Sequence, residues 1–237
     1  MSTETEKPKR FYKQAAAEQM PGGWTVALDG RTIKTPARTA FLLPSERMAK
    51  SIAAEWNGQG DRIDLARMHL TRLANVAIDR TPELREEMAD ELARYCETDL
   101  LCHLAEGPED LVERQERYWS PVRDWAGQEL DVFLVPVEGV VASPQPDASL
   151  EAARRIVLDM DDFMMTGTLY ACGLYGSALL ALAVAEGQLG AEDAFELSRL
   201  DEVWQNEQWG EDAEAKIATE ARRKESTALE TWMRALR

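Results

Sequence analysis

The sequence is short of the residues that build reactive sites. Among its 237 residues stand two histidines, His69 and His103, and three cysteines, Cys96, Cys102 and Cys172. Three thiols make neither a disulfide framework nor a four-ligand zinc site, and so few fit a reducing compartment. No His-Glu-x-x-His pair and no Glu-x-x-His occurs, so zinc-protease and carboxylate-bridged di-iron sites lack their ligands. Cys102 and His103 are adjacent, which on a helix sets them about 100° apart and leaves a Cys–His nucleophile pair unsupported. Gly-x-x-x-x-Gly-Lys and Gly-x-Gly-x-x-Gly are both missing, which removes the two common phosphate cradles. Positive charge is in deficit too: 27 Lys and Arg stand against 43 Asp and Glu, a net charge of −16. Phosphate neutralisation needs clustered Lys and Arg, so a nucleic-acid partner is excluded. Residues 1–13 hold no apolar core of a signal peptide, and Glu4 and Glu6 do not suit a transit peptide, so a cytoplasmic location is expected. No cofactor, metal or catalytic residue is expected.

What is present is enough for a core. At 26.6 kDa, surface scaling buries about 72% of the unfolded area. The charge divides along the chain: residues 1–75 hold 12 Lys/Arg and 8 Asp/Glu, residues 76–237 hold 15 and 35. Two structural units are read from this, 1–75 and 76–237. The acidic part is either a solvated helical surface or a field that draws in a basic partner.

The first unit reads as mixed α and β. Trp24–Leu28 and Arg31–Thr35 flank Asp29-Gly30, a strong hairpin signal. Phe11–Gln19 and Thr39–Leu43 are further strand candidates. Pro44-Ser45 opens a helix with Met48, Ile52 and Trp56 on one face. From residue 64 the period is helical, with Leu65, Met68, His69, Leu73 and Val76 on a stripe. Thr81 and Pro82 start another helix, Gly107-Pro108 separates it from the next, and Pro121 is read as a break or kink. Asp131–Val135 is β-like. Asp147 caps a remainder of three helices, divided near Gly187–Gly190 and Gly210. Asp159, Asp161 and Asp162 read as a solvated helix turn rather than cation ligands. The class is α+β: a small α/β domain with a hairpin, then a larger helical domain.

Thr166–Ala185 is 20 residues without a charge, long enough to span a bilayer. Acids flank it and no Lys/Arg cluster sets an orientation, so a helix buried among its neighbours is the reading.

The segment Leu197–Gly210 is the most informative. On a helix wheel, Leu197, Leu200, Val203 and Trp204 form a core face. Trp209 lies opposite, beside Ser198, Gln205 and Glu202. An aromatic on a polar face is either an interface anchor or a cover for a neighbouring helix. Glu202, Gln205 and Trp209, with Ser198 at the edge, are the candidate partner-binding residues.

Taken in order, Arg10-Phe11-Tyr12, Leu28-Asp29-Gly30-Arg31, Lys34-Thr35-Pro36, Leu43-Pro44-Ser45, Ala54-Glu55-Trp56, Met68-His69-Leu70-Thr71, Asp99-Leu100-Leu101-Cys102 and Leu197–Gly210 resemble the ATP synthase assembly chaperones that handle the alpha subunit of the catalytic head. The resemblance runs from Arg10 to near the carboxyl end. It implies a small α/β domain before a helical one. It also implies a non-enzymatic, ATP-independent protein that shields the unassembled alpha subunit until the beta subunit pairs with it, in a bacterial cytoplasm or a mitochondrial matrix. Two other classes stand beside it: an enzyme with a carboxylate pair brought together by the fold, and an adaptor that stays in a finished complex.

Overall fold

The computed structural model describes residues 7–139 and 141–237. The chain forms two compact units, one of residues up to Glu83 together with Arg234–Arg237, the other Leu84–Met233.

In the first unit, β1 (Ala15–Met20), β2 (Gly23–Leu28) and β3 (Arg31–Thr32) make an antiparallel sheet in that order. The register runs from Ala15 opposite Leu28 to Met20 opposite Gly23. Asp29 and Gly30 both take positive φ (48° and 77°), which a two-residue hairpin turn needs. Thr39–Leu43 is not a strand. It contributes only single bridges, Ala40 with Lys34 and Leu43 with Trp24.

Helix α1 (Glu46–Asn57) starts at Ser45, whose hydroxyl accepts from the Met48 N–H (3.1 Å). It buries Met48, Ala49, Ile52 and Ala53 and packs on β1 and β2. The Asn57 amide, at its end, bonds both the N–H and the C=O of Ala15 (2.8 Å each), standing in for a strand neighbour. Glu55 accepts from the Leu70 and Thr71 N–H groups and caps α2 (His69–Asp79). Burial pushes its carboxyl up, against the pull of those bonds.

The expected stripe on α2 holds in part. Met68 and Leu73 are buried, with Leu70, Thr71, Ala74 and Ala77, while Leu65 and Val76 are exposed. Residues 65–67 form a 3₁₀ turn, so Leu65 stands off the helix.

The second unit holds α4 (Glu109–Leu130), α5 (Asp147–Asp159), α6 (Asp162–Tyr175), α7 (Ala178–Ala185), α8 (Ala191–Ser198) and α9 (Leu200–Trp209). It also holds most of α3 (Thr81–Glu97) and α10 (Ala213–Leu236). Helix α4 continues through Pro121 rather than breaking there. The three-helix remainder is six helices. Asp161 accepts from the Phe163 and Met164 N–H groups and opens α6. Gly176, at φ 68°, ends α6, and Ser177 caps α7. The 20-residue uncharged run is therefore two helices; all eight α7 residues are buried. Among the described residues no helix is long and apolar enough to cross a membrane.

Asp131–Val135 forms no strand either. Ser149 Oγ accepts from Phe133 N and donates to Phe133 O, and the Gln145 amide does the same for Val135. Side chains satisfy the groups a neighbouring strand would take. The strand pair of this unit is instead β4 (His103–Leu104) with β5 (Val137–Glu138), parallel.

Asp99 is wholly buried at the centre of this unit. Its Oδ1 accepts from Leu101 N (3.0 Å) and Ser177 Oγ (2.8 Å), and its Oδ2 from Leu179 N (3.0 Å). Desolvation outweighs these bonds and raises its pKa to about 6. Cys96, Cys102 and Cys172 are free and buried, and burial pushes their thiols up, away from reactivity.

The unfolded carboxyl titrates near 4, below Asp99 in the folded protein. The stability it contributes is therefore greatest below about pH 4, falls as pH rises to about 6, and is level above. Urea unfolding across pH 4–8 should show the parent losing about 2–3 kcal/mol relative to Asp99→Asn over that span. A rising difference would contradict the assignment. At Gly167, a Cβ would meet Trp232 Nε1 at 2.7 Å and Cδ1 at 2.8 Å. Gly167→Ala should cost about 1–3 kcal/mol in thermal or urea unfolding.

Candidate functional site

Helix α9 is fastened to α4 by three side-chain contacts. The Trp204 indole N–H donates to Asp110 Oδ2 on α4 (2.8 Å). The Gln115 amide, also on α4, donates to Asp201 Oδ1 (2.8 Å). Arg114 grips Glu207 with both guanidinium nitrogens (3.1 and 2.8 Å). Burial raises the Asp201 carboxyl, opposed by the Gln115 bond. The Arg114 bond lowers Glu207 and raises Arg114 itself. Forked Arg–carboxylate pairs fix orientation as well as energy.

The segment read as one helix is two. Arg199 leaves helical geometry (φ −113°, ψ 14°) between α8 and α9. The Trp119 indole, fully buried on α4, donates to Leu197 O at this turn (3.0 Å). Ser198 thus closes α8, half-buried, its hydroxyl spent on Phe195 O (2.7 Å). Glu202, Gln205 and Trp209 lie on α9, all exposed. Their i, i+3, i+7 spacing gives them one helix face. The structure brings these three onto one helix and leaves Ser198 across the turn.

The two tryptophans differ as the wheel expects. Trp204 is 6% exposed and Trp209 75%. Their rings meet edge to face at 5.6 Å, so the anchored indole supports the open one. Glu202 has one cation near it, Arg199 Nη1 at 3.6 Å. Val203, placed on the core face by the wheel, is 39% exposed.

Val203 belongs instead to a groove of about 580 Å³ between α4 and α8–α9, with Tyr118, Leu197 and Leu200 as apolar lining and Asp110 and Glu207 among its acids. A second depression, also lined by Tyr118 and Leu197, continues it toward Pro121 and Leu189. No single segment carries the signal for this groove, because α4, α8 and α9 build it together. Among the described residues no group of His, Cys, Asp or Glu could hold a metal ion. Asp161 is spent as a helix cap and Asp162 pairs with Arg85 (2.5 Å).

An open groove beside a tethered, aromatic-bearing helix suits a protein that handles other proteins, and the relatives of this chain place it in a class of chaperones. Residues 9–127 match the family model of the ATP12 chaperone protein. The crystal structure of Atp12 from Paracoccus denitrificans is 37% identical, with a TM-score of 0.89 over 97% of this chain and 99% of that one. That of the Atu1473 protein from Agrobacterium tumefaciens is 37% identical, with a TM-score of 0.91 over 97% and 87%. The mitochondrial protein atp12 of Schizosaccharomyces pombe is 27% identical over 90% of this chain and 81% of its own length. The chain belongs to the ATP12 chaperone family, whose members are mitochondrial and bacterial and serve ATP synthase assembly.

Asp110→Ala should leave the buried Trp204 N–H without its acceptor, at a cost of about 1–3 kcal/mol. Hydrogen exchange across Leu200–Trp209 should speed up with it. Unchanged exchange there would show that α9 does not depend on this tether.

Proposed function

We propose that this chaperone holds the unassembled alpha subunit of the ATP synthase catalytic head and prevents its aggregation until the beta subunit pairs with it. The observation that carries the reading is Trp209, open to solvent on a helix whose opposite side is fastened to α4. Aromatic residues on a rigid support are the usual anchors of interfaces. Glu202 and Gln205 share its face and supply the polar contacts.

The action needs no energy source. An orphan subunit exposes apolar interface that drives wrong association. Reversible cover lowers the free concentration of that state, and the true partner displaces the cover. The second unit, with 12 Lys/Arg against 33 Asp/Glu, favours encounter with a basic client surface.

An acid–base enzyme would gather shifted carboxylates in a cavity. Among the described residues Glu55, Asp99 and Asp201 are the carboxyls pushed up. Each is taken by hydrogen bonds within the fold, and none lines the α4–α8–α9 groove. This favours binding over catalysis.

Glu202→Lys should abolish co-purification with the alpha subunit while circular dichroism and the melting temperature stay as in the parent, since the residue is exposed. Undiminished co-purification would remove Glu202 from the interface.

A further inference from the structure

The α9 face leaves several sequence motifs unused: Arg10-Phe11-Tyr12, the Leu28–Arg31 hairpin, Lys34 and Trp56. They converge in the first unit on a cavity of about 660 Å³, with Phe11, Tyr12, Ile33 and Trp56 as its apolar lining and Arg31 and Lys34 as its cations. Phe11 is 73% exposed. Its ring meets Tyr12 edge to face at 5.4 Å, and Tyr12 meets Trp56 in the same way at 5.6 Å.

The cavity is held in shape before anything binds. The Tyr12 hydroxyl donates to Trp56 O (2.7 Å). The Arg10 guanidinium lies 4.6 Å over the Tyr12 ring and donates to the carbonyls of Tyr12 (3.1 Å) and Lys13 (2.9 Å). Asp29 accepts from the N–H groups of Gln14 (2.9 Å) and Lys13 (3.0 Å), bonds that hold its carboxyl below the usual range. The acid in the cavity wall is therefore committed to backbone. Arg31 and Lys34 are exposed, and neither pairs with an acid among the described residues. The whole first unit holds 15 Lys/Arg against 10 Asp/Glu, the opposite sign to the second.

We propose that this cavity is a second docking site, which takes a client segment carrying an aromatic or aliphatic side chain next to carboxylates. The client's role rests on the chaperone reading above; the chemistry of the cavity does not. An aromatic wall fixed by internal bonds loses little freedom on binding. Two uncommitted cations beside it select acidic neighbours and disfavour basic ones. Such a segment is repelled by the acidic second unit, so the two units divide the client by charge.

The test uses the full chain and two fluorescein-labelled 12-residue peptides, in which a central Phe is flanked by Asp and Glu or by Lys. Fluorescence anisotropy should show the acidic peptide binding the parent. Binding should weaken about tenfold in Phe11→Ala and in the double variant Arg31→Glu/Lys34→Glu. It should be unchanged in Glu202→Lys, which reads the α9 face alone. All substituted positions are exposed, and circular dichroism checks that the fold is kept. Equal binding of the Lys peptide, or no loss in the double variant, would overturn the proposal. So would equal binding of an acidic peptide with Ser in place of Phe, which reduces the effect to charge attraction. Loss of the peptide in Glu202→Lys would place it on α9 and overturn the proposal as well. Loss of the alpha subunit in Glu202→Lys with the peptide retained supports both sites separately.

Discussion

The buried carboxylate of Asp99 is the point from which the second unit is organised. It gathers the Leu101 N–H of the turn after α3 and the Ser177 hydroxyl and Leu179 N–H at the start of α7. Helix α7, buried at every residue, packs against α4 and α8. Helix α8 ends at Arg199, beside the Leu197 carbonyl that the Trp119 indole of α4 holds, and α9 starts there. A charge in a low-dielectric core is costly unless its lone pairs are filled. Here the donors come from two chain segments some eighty residues apart, so satisfying the charge and closing the fold are one event.

Helix α9 shows the same economy at the surface. One of its tryptophans is made structural by an acceptor on α4, and the other stays open to solvent. The difference between them is a matter of which partner lies within reach of an indole N–H, not of residue type. The groove beside it has a similar origin: Tyr118, Leu197, Leu200 and Val203 are ordinary apolar residues brought together by α4, α8 and α9.

Local signals were legible in the sequence where local chemistry decides. Asp29-Gly30 marked the hairpin, Ser45 the start of α1, and the wheel separated Trp204 from Trp209. Signals failed where distant residues supply the partners. The β-like Asp131–Val135 run pairs with Ser149 and Gln145 instead of a strand. A 3₁₀ turn at 65–67 took Leu65 off the α2 stripe. The breaks at Asp161, Gly176 and Arg199 depend on caps and on the Trp119 indole, none of which a periodicity count weighs. The outward face of α9 could be written down from spacing alone. Ser198 fell off it at the turn, and the groove, built by α4, α8 and α9 together, could not be seen in any one of them.

The division of the apolar run at Gly176-Ser177 reaches beyond packing. At 1.5 Å per residue, α6 is about 21 Å long and α7 about 12 Å, and neither matches a hydrocarbon layer of about 30 Å. The greasiest stretch of the chain is thus cut into lengths suited only to a protein interior.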